Sequence, residues 1–263
     1  MILVTGAYGF IGSNFVKLLN SQGISDIDVS DYLDNGHQFV NLKSASFNSY
    51  IHPDNVDVSL YNKIFHFGGI SDTTCWDGNL VMSRNYSYTK HLIDQCIKNK
   101  VFLSYSSSAS VYGNGNGPLN LYAYSKYLID QYVEKMQSPL TQGFRYFNVY
   151  SLDDSEWHKK DQASPYYKFK HQSLSSGSIS IFEGSENFYR DFVHVDTVCK
   201  IQWDMSHRKD AGIFDLGSGK SISFLDVATE ISNLYGGKVE TIPFPEKLKG
   251  CYQTNTLADM SYL

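Results

Sequence analysis

Ile2-Leu3-Val4-Thr5-Gly6-Ala7-Tyr8-Gly9-Phe10-Ile11-Gly12 opens the chain, and its reading decides the fold. An apolar run is followed by a turn with glycines at 6, 9 and 12, then by Ile11, Phe15, Val16, Leu18 and Leu19 at helical spacing. That order reads as strand, tight turn and helix. A second short strand, Ile27-Asp28-Val29, ends at Asp31, 19 residues beyond Gly12. Spaced glycines alone are a weak signal. Between a strand and a helix, with an acid at the end of the next strand, they form a dinucleotide-binding fingerprint. Gly6 would permit the tight turn, Gly9 the approach of a pyrophosphate, and Gly12 close helix–strand packing. The helix N-terminus would add N–H donors and a partial positive charge. Asp31 would accept from the adenosine ribose and favour NAD, since a 2′-phosphate needs Arg or Lys and the loop after Asp31 offers none before Lys43.

Further along, Lys63–Phe67, Val101–Tyr105 and Gly143–Phe147 read as strands. Helices are expected from about Asn79 to Lys98 and from Tyr122 to Met136. Alternation of this kind predicts an α/β fold, a Rossmann-type doubly wound parallel sheet covered on both faces. After Val149 the texture changes: Ser151–Pro165 is polar and loop-like, and Leu174–Ser180 is rich in Ser and Gly. Phe192–Val195 and Phe214–Leu216 again look like strands. The expected division is therefore discontinuous. A dinucleotide-binding domain takes residues 1–149 and 191–217, and a smaller substrate-binding domain takes 150–190 and 218–263.

The length of 263 residues suits such a pair, and 42% hydrophobic with 19% charged residues is ordinary for a soluble globular chain. A formal charge of −5 without a basic stripe argues against nucleic acid as a partner. Cys75, Cys96, Cys199 and Cys251 form no CxxC pair and no zinc-ligand spacing, so reduced thiols and no metal are expected. No signal peptide and no run long enough to span a bilayer is visible, and a cytoplasmic protein is expected.

Tyr122-Ala123-Tyr124-Ser125-Lys126 places a phenol and an ammonium on one helix face. A phenol titrating near 10 is a poor base at neutral pH, and a nearby lysine would lower that value. Tyr-xxx-Lys alone is common by chance. Here it follows Ser106-Ser107-Ser108-Ala109-Ser110-Val111-Tyr112-Gly113, a strand end rich in hydroxyls.

Glycine loop, serine-rich strand end and Tyr-xxx-Lys helix, in that order, resemble the extended short-chain dehydrogenase/reductases. The resemblance implies that Ser108 bonds the reacting oxygen, Tyr122 is the acid/base, and Lys126 tunes it and holds the nicotinamide ribose. It narrows with Thr73-Thr74, Trp76-Asp77-Gly78, Gly143–Tyr150, Phe182-Glu183-Gly184-Ser185-Glu186-Asn187-Phe188, Arg190-Asp191-Phe192-Val193, Pro243-Phe244-Pro245 and Lys247-Leu248-Lys249-Gly250 with Tyr252-Gln253. Across nearly the whole chain these are similar to the ADP-L-glycero-D-manno-heptose 6-epimerases. The likeness implies oxidation at C6″ of a nucleotide-linked heptose and return of the hydride to the other face, with two acid/base groups. Lys159, in Trp157-His158-Lys159, would be the second, although alone it reads as a solvated loop charge. It further implies cofactor contacts from Gly6, Gly9, Phe10, Ile11, Gly12, Asp31, Tyr32, Gln38, Phe67, Gly68, Gly69, Ser71, Lys126 and Val149. Substrate contacts would come from Asn148, Phe182, Glu183, Gly184, Ser185, Arg190 and Tyr252, with Arg190 as a phosphate clamp. A homo-oligomer is implied as well.

The cofactor implied by resemblance is NADP, whereas Asp31 with Asp34 and Gln38 in place of the family's Lys points to NAD. Other departures are Tyr8 in the glycine loop, and Ser151, Asp161 and Lys168 where the family has Gly, Ser and His. Two other readings stay open: another nucleotide-sugar epimerase, reductase or dehydratase, and a non-catalytic dinucleotide-binding protein. Ala109 and Ser110 stand where a dehydratase needs acids, which counts against elimination.

Overall fold

The structure, a computed structural model, describes residues 1–246 and 253–262. Six strands come first: β1 (Ile2–Thr5), β2 (Ile27–Ser30), β3 (Ser49–Ile51), β4 (Lys63–His66), β5 (Phe102–Ser108) and β6 (Thr141–Tyr146). Then follow β7 (Asn148–Tyr150), β8 (Ser178–Phe182), β9 (Tyr189–His194), β10 (Gly212–Leu216), β11 (Ser221–Ser223) and β12 (Lys238–Ile242). The α-helices are α1 (Phe10–Ser21), α2 (Gly78–Val81), α3 (Tyr88–Asn99), α4 (Leu121–Met136), α5 (Pro165–Ser176), α6 (Val195–Met205) and α7 (Phe224–Tyr235).

A seven-stranded sheet runs β10-β6-β5-β4-β1-β2-β3, and every pairing in it is parallel. Successive residues on a strand point to opposite faces. Val4 and Phe65 accordingly enter one apolar cluster with Phe15, Leu19, Val195 and Cys199. Their neighbours Leu3 and Ile64 enter another with Leu92, Ile93, Ile129 and Val133. Burial on both faces explains why these strands read as unbroken apolar runs. The chain leaves β1 for β2 on one side and returns through β4 on the other. Between the carboxyl ends of β1 and β4 lies the crevice where such sheets bind ligands.

Four expected boundaries move. β5 runs through Ser108 instead of stopping at Tyr105, because β6 pairs with it as far as Ser108–Tyr146; tertiary pairing overrides the weak strand preference of serine. The expected strand 143–147 breaks at Phe147, whose N–H turns to the Leu216 carbonyl, and β7 joins a different sheet. Val195 starts α6 instead of ending a strand, since the His194 ring caps the helix by accepting the Asp196 N–H. The Ser/Gly-rich stretch is the end of α5, a left-handed Gly177 at φ 69°, and the start of β8.

β9 lies between β7 and β11 in a three-stranded sheet, and β8 pairs with β12. α5 and α7 enclose a separate core of Tyr166, Phe169, Ile179, Ile181, Val227 and Ile231 beside them. α6 packs on α1, and β10 closes the edge of the main sheet.

The helix expected at 79–98 is interrupted by a π-helical stretch, Met82–Ser87, between α2 and α3. Asn85 in that stretch is fully buried. Its amide accepts the Ile70 N–H (2.7 Å) and donates to the Ile70 carbonyl (2.9 Å) and to Ser125 Oγ (3.0 Å). The widened turn aims these bonds at the loop after β4, which fits the habit of π-bulges to occur at ligand sites.

Candidate active site

Gly6 sits at φ 65°, and a Cβ there would lie 2.4 Å from the Gly68 nitrogen. A Cβ on Gly12 would lie 2.2 Å from the Gly6 carbonyl oxygen. Side chains at either position would part β1 from the loop after β4 or from α1. Gly9 caps α1 without any side-chain bond, and no acid occupies the first turn, where Phe10, Ile11 and Gly12 lie. The backbone donors and the positive helix end are thus left for an anion. This cradle fits the pyrophosphate of a dinucleotide.

One cavity at the crevice is lined by Gly6, Asp31, Tyr32, Gly68 and Gly69, all expected, together with Thr5, Asp34, Pro53, Ile70, Arg84 and Tyr88. Asp31 Oδ2 accepts the Tyr8 N–H at 3.0 Å. Burial raises the Asp31 carboxyl, while main-chain N–H bonds from Tyr8, Leu33 and Tyr32 pull it back. Gln38 lies in a 3₁₀ turn, Gly36–Leu42, outside this cavity. Ser71 is exposed. Phe67, Ile11 and Val149 pack among the core clusters under the glycine loop. Arg84, Tyr88 and Pro53 had no signal in the sequence, since each belongs to a segment remote from the glycine loop.

Ser108, Tyr122 and Lys126 converge from the end of β5 and the start of α4. Asn120 begins that helix by accepting the Ala123 N–H on its side chain. Surrounding protein raises the Tyr122 phenol, and a hydrogen bond with Ser108 is what lowers it. Lys126, expected to lower it, stands one helical turn further along α4. The lysine is buried, and its amine donates to the Ser106 carbonyl at 2.8 Å. Burial pulls Lys126 down to about 8, against the opposing pull of Asp130. A Cβ built on Gly69 would lie 3.6 Å from Lys126 Nζ, so the amine stands beside the crevice loop.

Lys159 lies over the Phe10 ring, 4.9 Å from its centroid, at the start of α1. Its amine pairs with Glu156 at 3.0 Å. Glu156 is fully buried and also accepts from the Ser151 N–H and from the Ser164 N–H and hydroxyl. Asn41 joins this loop to the glycine turn, donating to the Tyr8 carbonyl and accepting from Trp157 Nε1. Glu156 and Asn41 were missed in the sequence, where each reads as an ordinary polar loop residue.

Asn148 begins β7 opposite Phe192. Phe182 ends β8, Glu183 is exposed, and Gly184 and buried Ser185 form the turn that follows. Phe182 and Phe188 pack on Phe244. Arg190 is buried: its guanidinium donates to the carbonyls of Tyr189 and Gln253 and faces the Phe224 ring. Tyr252 and Cys251 lie outside the described residues. Cys75, Cys96 and Cys199 are free thiols. Among the described residues no cluster of three metal-ligating side chains occurs, and no helix is long and apolar enough to cross a membrane.

Strand order, glycine cradle and the crevice between β1 and β4 define a Rossmann-type dinucleotide-binding α/β protein. Residues 2–217 match the sequence profile of the NAD dependent epimerase/dehydratase family, and the chain belongs to that family. Its fold is shared with solved structures at low identity. ADP-L-glycero-D-manno-heptose-6-epimerase of Helicobacter pylori is 24% identical, with a TM-score of 0.81 over 97% of this chain and 87% of that one. UDP-N-acetylglucosamine 4-epimerase of Methanobrevibacter ruminantium, in complex with UDP-N-acetylmuramic acid, is 21% identical, with a TM-score of 0.85 over 99% and 89%. UDP-glucose 4-epimerase of Thermotoga maritima, with UDP-glucose, is 22% identical, with a TM-score of 0.82 over 98% and 89%.

Proposed function

We propose that the protein is a nucleotide-sugar epimerase that inverts C6″ of ADP-D-glycero-D-manno-heptose. The observation that carries the chemistry is the arrangement of Ser108 at the end of β5 and Tyr122 at the start of α4, with a buried Lys126 beside the crevice loop. When bound, a nicotinamide dinucleotide accepts a hydride from the sugar carbon and returns it. Tyr122 takes the hydroxyl proton as the carbonyl forms and gives it back afterwards. Ser108 holds the same oxygen, and its bond favours the phenolate. Lys126, fixed by Ser106, orients the cofactor ribose. Inversion needs proton handling from the second face of the sugar, and Lys159, held by Glu156 over the glycine loop, is the group for it. Residues 150–190 and 218–263 supply the substrate side, with Asn148 and Phe182–Ser185 as sugar and nucleotide contacts. The substrate choice is supported by the sequence motifs. Arg190, turned to main-chain carbonyls, favours a differently placed diphosphate and keeps a second nucleotide sugar as the alternative.

The test is incubation with ADP-D-glycero-β-D-manno-heptose, following C6″ stereochemistry by NMR. Conversion is expected for the wild type, with loss of about a hundredfold or more in Tyr122→Phe and in Lys159→Met. Full activity in Tyr122→Phe would overturn the mechanism. No conversion by a wild type that binds dinucleotide would overturn the heptose and leave the second nucleotide sugar.

A further inference from the structure

Arg84 enters the dinucleotide crevice from the π-helical stretch, 50 residues away from the strand end it meets. Its guanidinium carbon lies 3.1 Å from the centroid of the Tyr32 ring, and Nη2 lies 3.4 Å from Asp34 Oδ1. The Tyr32 ring is itself held edge-on by His52 and Tyr88, and its hydroxyl donates to Asp54 Oδ1 at 3.3 Å. Arg84, Tyr32, Asp31 and Asp34 line one cavity. Its position at the end of β2 makes it the adenosine end of the site.

A planar guanidinium stacked on a ring offers a flat, cationic surface to a purine. The same guanidinium is the group that a 2′-phosphate would seek. Two carboxylates, Asp31 and Asp34, face this single cation within the cavity, and Asp34 already pairs with it. A phosphate dianion entering here meets net negative charge. A ribose 2′-hydroxyl meets an acceptor, Asp31.

We propose that Arg84 clamps the adenosine of the cofactor, and that Asp34, by pairing with Arg84, sets the site to NAD and against NADP. The proposal rests on the dinucleotide-dependent reading above, but binding tests it without catalysis. The π-helical turn is the device that brings the arginine in. The loop after Asp31 has no cation of its own, so cofactor choice is written in two segments and not one.

Titration calorimetry of the full chain with NAD+ and with NADP+ tests it, on the wild type, Asp34→Asn, Arg84→Gln and the double variant. Asp34 is largely exposed, so its substitution leaves the fold in place; circular dichroism checks this for every variant. The wild type should bind NAD+ about tenfold or more tighter than NADP+, and Asp34→Asn should tighten NADP+ by about tenfold and narrow that preference. Arg84→Gln should weaken NAD+ several-fold, about what an exposed stacking contact supplies, and should cancel the NADP+ gain in the double variant. A wild type that prefers NADP+, or an NADP+ gain that survives in the double variant, would overturn the proposal and leave the epimerase reading standing. A folded protein that binds neither dinucleotide would overturn both.

Discussion

His66 shows how one residue ties the sheet to the site. It ends β4, fully buried, between Thr5 Oγ1 at 2.5 Å and Thr89 Oγ1 at 2.8 Å. Burial, and then the Lys126 charge, depress it from 6.5 to about 3. Between those two values the unfolded chain takes up a proton that the folded chain refuses. Stability contributed by the neutral ring is therefore present above pH 6.5 and is lost as pH falls towards 3. From pH 7.5 to 5 the loss due to this ring should be roughly 2 kcal/mol. His66→Gln, which keeps a polar group between the two threonines, should unfold in denaturant with a flatter dependence on pH over that range. An unchanged pH dependence in the variant would mean that His66 protonates in the folded state.

At the scale of elements, the helix after β4 performs two tasks because it is not a regular α-helix. The wide turn at Met82–Ser87 buries Asn85 against Ile70 and Ser125, and it presents Arg84 to Tyr32. Asn85→Ala would leave the part-buried N–H and carbonyl of Ile70 without these partners. The expected cost is about 2–4 kcal/mol, the desolvation penalty of the two groups. NAD+ affinity should fall with it, since Gly69 and Ile70 line the crevice. Chemical denaturation with parallel calorimetry measures both. A loss below about 0.5 kcal/mol, typical of a surface change, would show that water replaces the amide at no cost.

Across the whole molecule, the second sheet is fastened by one carboxylate. Asp191 on β9 is fully buried. Its oxygens accept from the Ser218 N–H (2.6 Å) and hydroxyl (2.7 Å), the Gly219 N–H (2.9 Å) and the Ala258 N–H (3.1 Å). β9, the turn after β10 and the C-terminal segment are thereby joined at a point. Asp191→Asn would set an amide donor against N–H donors there and should cost about 3 kcal/mol, the scale for disrupting a buried charged network. Differential scanning calorimetry should show a lower Tm, or an early partial transition as the second sheet opens. Melting identical to the wild type would show that the other contacts of this sheet suffice.

The Rossmann-type sheet was legible in the residues because its signals are local. A glycine loop, apolar strands buried on both faces and an acid at the second strand end lie within a few dozen residues of one another. Ser108, Tyr122 and Lys126 were legible for the same reason, as was the order of the motifs that carry the family. Tertiary structure alone decided where β5 stops and where β7 and β9 go, because serine and short mixed runs take the state their neighbours impose. It alone brought Arg84 to Tyr32, Asn85 to Ile70 and Glu156 to Lys159. Each of these contacts depends on a helix turn, a crossover or a buried carboxylate whose partners are fixed only when distant segments pack. Spacing along the chain fixes what lies within a turn or a strand; the remaining geometry of the site comes from burial, which forces polar groups to find partners wherever the fold has placed them.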